Sequence, residues 1–234
     1  MRRLDVIWED PHGLAVNKPA GLLTQPARSG DVEPTLEGLI RSHLRPDDPA
    51  SVYLGTVHRL DRPVSGVILW AKTPKAAHRW ADQFALRQAR KEYWAITEPP
   101  IQGQLGAVDV WEDWLLSPDR SGQAQVVPAG TAGAVRAITR VEVGDPERLS
   151  PPKGTFSWLK LRPETGRTHQ LRVQAASRGW PFVGDATYGS PTPFAEGIAL
   201  HARTLVIEHP IQRASMTLLA PLPRSWLGFL DAPD

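Results

Sequence analysis

The run Gly66-Val67-Ile68-Leu69-Trp70-Ala71 holds no polar side chain over six residues, so neither face of it can be left in water. It is too short for an independent helix and is rich in β-branched and aromatic residues, which makes it a strand buried on both sides. A second β-like run, "SVYLGTV" (51–57), precedes it, and the polar stretch "HRLDRPVSG" (58–66) lies between the two. The core therefore grips both ends of a loop that carries one carboxylate, Asp61, between two arginines, Arg59 and Arg62.

The elements around that loop set the fold class. "LDVIWED" and "LAVNKPAG" read as a strand pair turning at "EDPHG", with Gly13 as the turn residue. "TLEGLIRSHL" spaces Leu36, Leu39, Ile40 and Leu44 as one helical face and is ended by "RPDDP". "PKAAHRWADQFALRQ" opens with Pro74 at a helix start and aligns Ala77, Trp80, Ala81 and Phe84. "KEYWAIT" is a strand, 99–150 reads as a twisted hairpin region of short β pieces, and "KGTFSWLKLRP" and "ALHARTLVIEHP" are further strands. "THQLRVQAASRG" is a helix with Thr168 as N-cap and Gly179 just past its end. Strands and helices mix without a βαβ rhythm and no linker composition interrupts them. The expectation is a single α+β domain over 1–234, with a mixed, mostly antiparallel sheet flanked by helices and loops.

Composition narrows the chemistry. The chain of 234 residues contains no cysteine, which removes disulfides, thiolate metal sites and a cysteine nucleophile. A net charge of +2 says little about partners, although the planar guanidinium of arginine suits phosphates and bases. No apolar run reaches bilayer length and "MRRLDVIWED" lacks a secretory core, so a cytoplasmic protein without a membrane partner is expected. His58, Asp61 and His169 could be offered as metal ligands, but paired ligands at close spacing are missing. Ser65 in "VSGV" lacks the glycine two residues before the serine that a nucleophile elbow requires. Asp61 could also be a surface aspartate bridging to Arg59 or Arg62, a contact that contributes little. Its placement between buried strands favours a functional carboxylate, and a second basic loop, "PETGRTHQLR", offers Arg167 and Arg172 as partners that would keep it ionised.

These motifs together resemble the RluA family of pseudouridine synthases. The resemblance runs from "VNKPAG" (16–21) through "HRLDRPVSGVILWAK" (58–72) and "KEYWAI" (91–96) to "RPETGRTHQLRVQAASRGWPFVGDATYG" (162–189), and closes with "ALHARTLVIEHP" and "APLP". It implies an enzyme that isomerises specific uridines in a stem-loop of ribosomal RNA or tRNA, with no cofactor and no metal. By that resemblance Asp61 is the nucleophile, Tyr93 stacks on the flipped base and assists a late proton transfer, and Arg172 pairs with the aspartate. Arg59 enters the RNA stack where the uridine left, and Leu171 lines the base pocket. Arg62 and Arg167 join the substrate contacts, and Arg90 and Lys91, with Arg87 and the loop 27–33, form an RNA track. His169 and Gln170 shape the loop. Many relatives carry a small RNA-binding domain before the catalytic one, whereas here "VNKPAG" begins at residue 16, so the catalytic domain is expected to recognise RNA by itself, as a monomer without a required protein partner.

The chain departs from the family pattern at Val64, usually threonine, at Gln174, frequently histidine, and at Glu98, usually glycine. Val64 keeps the shape and drops the hydroxyl with any hydrogen bond from it, and the changes at Gln174 and Glu98 are expected to alter RNA contacts. Two other readings stand beside the enzyme: an RNA-binding protein on the same fold that has lost catalysis, and a carboxylate-dependent glycosidase. The second requires another acid near Asp61, where the motif supplies arginines.

Overall fold

The structure is a computed structural model that describes residues 4–26, 34–101, 106, 108–119, 122–145, 149 and 155–230. The chain divides into two compact units, Met1–Lys91 with Ala202–Leu222 and Glu92–His201 with Pro223–Asp234. Two of the three boundaries, at 91/92 and 201/202, fall inside strands, so no change in composition marks them.

In the first unit, β1 (Val6–Glu9) and β2 (Gly13–Lys18) form the expected antiparallel pair. The turn between them is built by Asp10 rather than by Gly13: Asp10 Oδ1 accepts the N–H groups of His12 (2.7 Å) and Gly13 (2.8 Å). Gly13 is required for packing, because a Cβ there would lie 2.2 Å from Trp80 Cη2. Next to β2 runs β4 (Ser65–Ala71), in register from Gly13↔Ala71 to Lys18↔Gly66 and buried at every residue. The strand expected over 51–57 shrinks to β3 (Gly55–Thr56). A 3-10 turn takes Pro49–Ser51, and Arg41 Nη1 donates to the Val52 carbonyl at 2.5 Å, removing that acceptor from any ladder. On the other side of β4 lies β10 (Leu200–Glu208), which pairs in turn with β11 (Ser215–Leu219). Gly66 permits this approach: its φ is +120° and a Cβ would stand 2.3 Å from the Ala202 carbonyl oxygen.

Helices α1 (Leu36–Leu44) and α2 (Pro74–Ala85) start at Thr35 and Thr73, whose hydroxyls accept the N–H groups of Gly38 and Ala76. The face α2 buries is Ala76, Trp80 and Gln83, not the expected set, since Ala81 is exposed. Polar bonds turn the helix. Trp80 Nε1 and Gln83 Nε2 both donate to the Glu208 carbonyl at 3.0 Å, and Gln83 Oε1 accepts the Glu208 N–H at 2.8 Å.

The second unit contains β5 (Arg90–Thr97), β9 (Ser157–Pro163), β8 (Val135–Val143), β6 (Val108–Leu116) and β7 (Gln125–Val127), in that spatial order and paired antiparallel. Among the described residues of 99–150, where a hairpin region is expected, there are two nine-residue strands and one short one. Helix α3 (Gln170–Ser177) buries six consecutive residues, Gln170–Ala175, and so lies in the interior. It starts one residue later than the sequence suggests, with His169 as N-cap in the left-handed region (φ 55°) and no side-chain cap. The Gln170 amide does the loop's polar work instead: Oε1 accepts the Thr165 hydroxyl (2.7 Å) and the Arg167 N–H (3.1 Å), and Nε2 donates to the Ile138 carbonyl (3.1 Å). Gly179 follows the helix with φ +78°, as expected. Three helices packed with antiparallel strands among the described residues make the fold α+β.

Candidate active site

Three anchors hold the loop that carries Asp61 within the first unit. At its start, His58 Nε2 accepts the Leu69 N–H of β4 at 2.9 Å, and the ring stacks on Phe84 with centroids 4.8 Å apart. An N–H can only donate, so Nε2 carries a lone pair and the proton of the neutral imidazole sits on Nδ1. Burial, with help from the charge of Lys91, pushes the His58 pKa down to about 3. Both ring nitrogens are therefore committed to a neutral ring, and His58 is not free to ligate a metal. Next, the Leu60 side chain is buried and its carbonyl accepts the Thr24 hydroxyl at 2.8 Å.

The third anchor is Lys18, a residue the sequence reading passed over. Its side chain ends the buried strand β2, is 0% exposed, and donates through Nζ to the carbonyls of Pro19 (3.0 Å), Leu22 (2.8 Å) and Arg62 (3.2 Å). Burial lowers its pKa to about 7 against the opposing attraction of Asp61. One ammonium thus ties the "KPAG" turn to the Asp61 loop and lies within electrostatic reach of the carboxylate. The visible signal was a lysine closing an otherwise apolar strand just before a Pro-Ala-Gly turn. Asp61 itself is half-buried, and its carbonyl accepts the Val64 N–H at 3.1 Å, closing a tight turn over Arg62 and Pro63. Val64 is buried at 2%, so the missing threonine hydroxyl is replaced there by packing.

The flanking arginines have different surroundings. Arg59 is exposed. Arg62 is also exposed, yet its Nε donates to the Gly21 carbonyl (3.1 Å) and its own carbonyl accepts the Gly21 N–H (2.8 Å), so it helps to fasten the loop. Arg90 is exposed, whereas Lys91 is half-buried and burial lowers its pKa. The loop 27–33 lies outside the described residues.

In the second unit, Tyr93 is half-buried on β5 opposite Leu161 of β9. Leu171 and Arg172 are buried on α3, and Arg167 is exposed with Nε donating to the Arg136 carbonyl at 3.3 Å. Arg172 forks onto Asp185: Nε to Oδ2 at 2.7 Å and Nη2 to Oδ1 at 2.8 Å. Its guanidinium also lies 4.9 Å from the centroid of the Tyr188 ring. Neither Asp185 nor Tyr188 was anticipated, though "GDATYG" placed an acid and an aromatic three residues apart.

The departures at 174 and 98 are interior struts. Gln174 is fully buried; Oε1 accepts the Thr139 hydroxyl at 2.7 Å, and Nε2 donates to Asp113 Oδ2 (2.7 Å) and the Trp111 carbonyl (3.1 Å). Glu98 accepts from Ser190 Oγ, from the Thr192 N–H and from the Thr192 hydroxyl, binding the 190–192 loop to the end of β5. Both side chains spend their polar atoms on partners inside the protein.

Comparison with known proteins agrees with these motifs. The family model of RNA pseudouridylate synthase matches residues 12–177. The tRNA pseudouridine synthase C of Pasteurella multocida is 30% identical over 248 residues, covering 99% of this chain and 96% of the relative. The ribosomal large subunit pseudouridine synthase D of Salmonella typhimurium is 31% identical over 243 residues, covering 98% of this chain and 70% of the relative. The solved structure of human RNA pseudouridylate synthase domain containing 1 superposes with a TM-score of 0.74 at 24% identity, over 97% of this chain and 88% of that one, and shares the fold. No described helix is long and apolar enough to cross a membrane.

Proposed function

The chain belongs to the RluA family of RNA pseudouridine synthases, and we propose that residues 1–234 act as one cytoplasmic catalytic domain that converts specific uridines of ribosomal RNA or tRNA to pseudouridine. The observation that carries the assignment of Asp61 is the triple anchoring of its loop, through His58 to Leu69, Leu60 to Thr24 and Arg62 to Lys18. A surface aspartate in a solvated bridge needs no such fixation, whereas a nucleophile does.

Asp61 attacks a uridine that has left its stack. The bond from N1 of uracil to the sugar breaks, the uracil turns, C5 bonds to the sugar carbon in its place, and the bond to Asp61 breaks to return the free carboxylate; the C5 proton leaves and N1 gains one, so no group is added and no oxidant is required. Tyr93 stacks on the base and assists that late proton transfer, Leu171 lines the base pocket, Arg172 orients the carboxylate, and Arg59 occupies the vacated position in the RNA. Exposed Arg59, Arg62, Arg90 and Arg167 supply phosphate contacts, while half-buried Lys91 contributes less than the sequence suggests. The protein acts as a monomer on a compact stem-loop, without metal or cofactor.

Pseudouridine mapping of total RNA from cells with and without the gene tests this reading. Loss of at least one site, restored by the wild-type gene and not by Asp61→Asn, is the expected outcome. An unchanged map in every RNA class would overturn it.

A further inference from the structure

The ion pair of Arg172 and Asp185 is among the most enclosed features of the second unit, with side chains 5% and 1% exposed. Stability alone gives no reason for it, since replacing a buried pair by apolar residues is often neutral or favourable. Its geometry offers one. A guanidinium is planar and has two edges that can bind a carboxylate through paired N–H bonds. Asp185 takes the edge formed by Nε and Nη2, which fixes rotation within the plane. Tyr188 lies against one face, which fixes the tilt of the plane.

Both residues come from one turn. Asp185 precedes the 3-10 turn Ala186–Tyr188, and the Tyr188 N–H donates to the Asp185 carbonyl at 3.0 Å. Residues three apart eclipse in such a turn, so carboxylate and ring face the same way. The turn is braced in turn. Tyr188 Oη accepts the Ala124 N–H at 2.8 Å and can donate its proton to His169 Nδ1 at 3.0 Å. Ser190 Oγ accepts the Gly184 N–H at 3.0 Å and itself donates to Glu98.

We infer that Asp185, with Tyr188 from the same turn, is a positioning residue that sets the plane and direction of the Arg172 guanidinium and so the direction in which Nη1 meets an anion. The inference rests on the role proposed above for Arg172, the orienting of the Asp61 carboxylate. Asp185 touches no reacting atom; it acts through the arginine.

The test is tritium release from total RNA labelled with [5-³H]uridine in cells lacking the gene, under excess enzyme, for Asp185→Asn alone and in an Arg172→Met background. Plateau rate and half-saturating enzyme concentration are read separately. Asp185→Asn is expected to lower the plateau by about 10²-fold, the scale of a misplaced group, with binding little changed. In the Arg172→Met background the same change is expected to cost nothing further, because there is no guanidinium left to direct. An equal loss in both backgrounds, or no loss in either, overturns the inference and leaves the assignment of Asp61 standing. A wild-type rate for Arg172→Met alone would instead remove the role of the arginine, and the inference with it. Thermal melts establish that each variant folds. If Asp185→Asn does not fold, Tyr188→Leu replaces it with the same expectations in both backgrounds, and Arg172→Lys serves where Arg172→Met does not fold.

Discussion

The Asp61 loop and the Arg172 cluster solve opposite problems with different materials. The loop is exposed on one side and is held through its backbone: carbonyls of Leu60 and Arg62 take the Thr24 hydroxyl and the Lys18 ammonium, and His58 accepts an N–H of β4. Arg172 is buried and held through its side chain, by a carboxylate in its plane and a ring on its face. Backbone anchoring places a short side chain by placing its Cα, which suits an aspartate. A long flexible arginine gains nothing from a fixed Cα and must be gripped at its tip.

That contrast can be broken from the loop side first. Gly66→Ala is expected to destabilise the first unit most, by about 3 kcal/mol or more, since a Cβ at φ +120° meets the Ala202 backbone at 2.3 Å. Chemical denaturation would measure it, and a loss under about 1 kcal/mol would show that β4 and β10 can separate without cost. Lys18→Met comes next. It strips three carbonyls of their donor, that of Leu22 in a buried bond, and is expected to cost about 2 kcal/mol and to slow turnover, because the Asp61 loop loses its tether.

His58 gives a pH signature. Its folded pKa, about 3, lies below the 6.5 of an unfolded histidine, so the unfolded chain binds more protons between those values. Its contribution to stability is fully present above about pH 6.5 and is lost as pH falls toward 3, with a slope of at most about 1.4 kcal/mol per pH unit. His58→Gln, which keeps an acceptor for Leu69, should flatten that acid slope relative to wild type in denaturation curves recorded between pH 6.5 and 4. An identical slope in both proteins would mean that His58 titrates normally.

The smallest effects belong to the surface. Arg59→Ala and Arg90→Ala are expected to change stability by no more than about 0.5 kcal/mol. Each should lower the slope of log affinity for RNA against log salt by about 1, as measured by filter binding at several salt concentrations. An unchanged slope would place the phosphate track elsewhere.

Legibility in the sequence followed the range of each contact. Strands β2, β4, β5 and β10 and helices α1 and α2 announced themselves through periodicity and caps, because those signals lie within a dozen residues. The Asp61 loop was visible as a polar motif clamped by apolar runs, and the family resemblance supplied roles that periodicity could not. Side-chain partners across longer separations were missed. Asp185 pairs with Arg172 thirteen positions away, and Lys18 reaches the carbonyl of Arg62 forty-four positions away. The structural part of His58 was not legible either, because nothing in "HRLD" reveals that its Nε2 faces an N–H eleven residues on. The start of α3 slipped by one residue for a similar reason, since the polar work expected of a capping hydroxyl is done by the Gln170 amide. The unusual Gln174 and Glu98 suggested altered RNA contacts, and only their burial shows that they brace the interior.

The assignment of Asp61 as nucleophile is tested most directly by Asp61→Asn, which preserves size and removes the anionic oxygen. With uridine tritiated at C5 in RNA, and binding followed separately by gel shift, the variant is expected to bind RNA and to release tritium slower than wild type by at least about 10⁴-fold, the scale of losing a nucleophile. Tritium release at the wild-type rate by a variant that still binds RNA would contradict it.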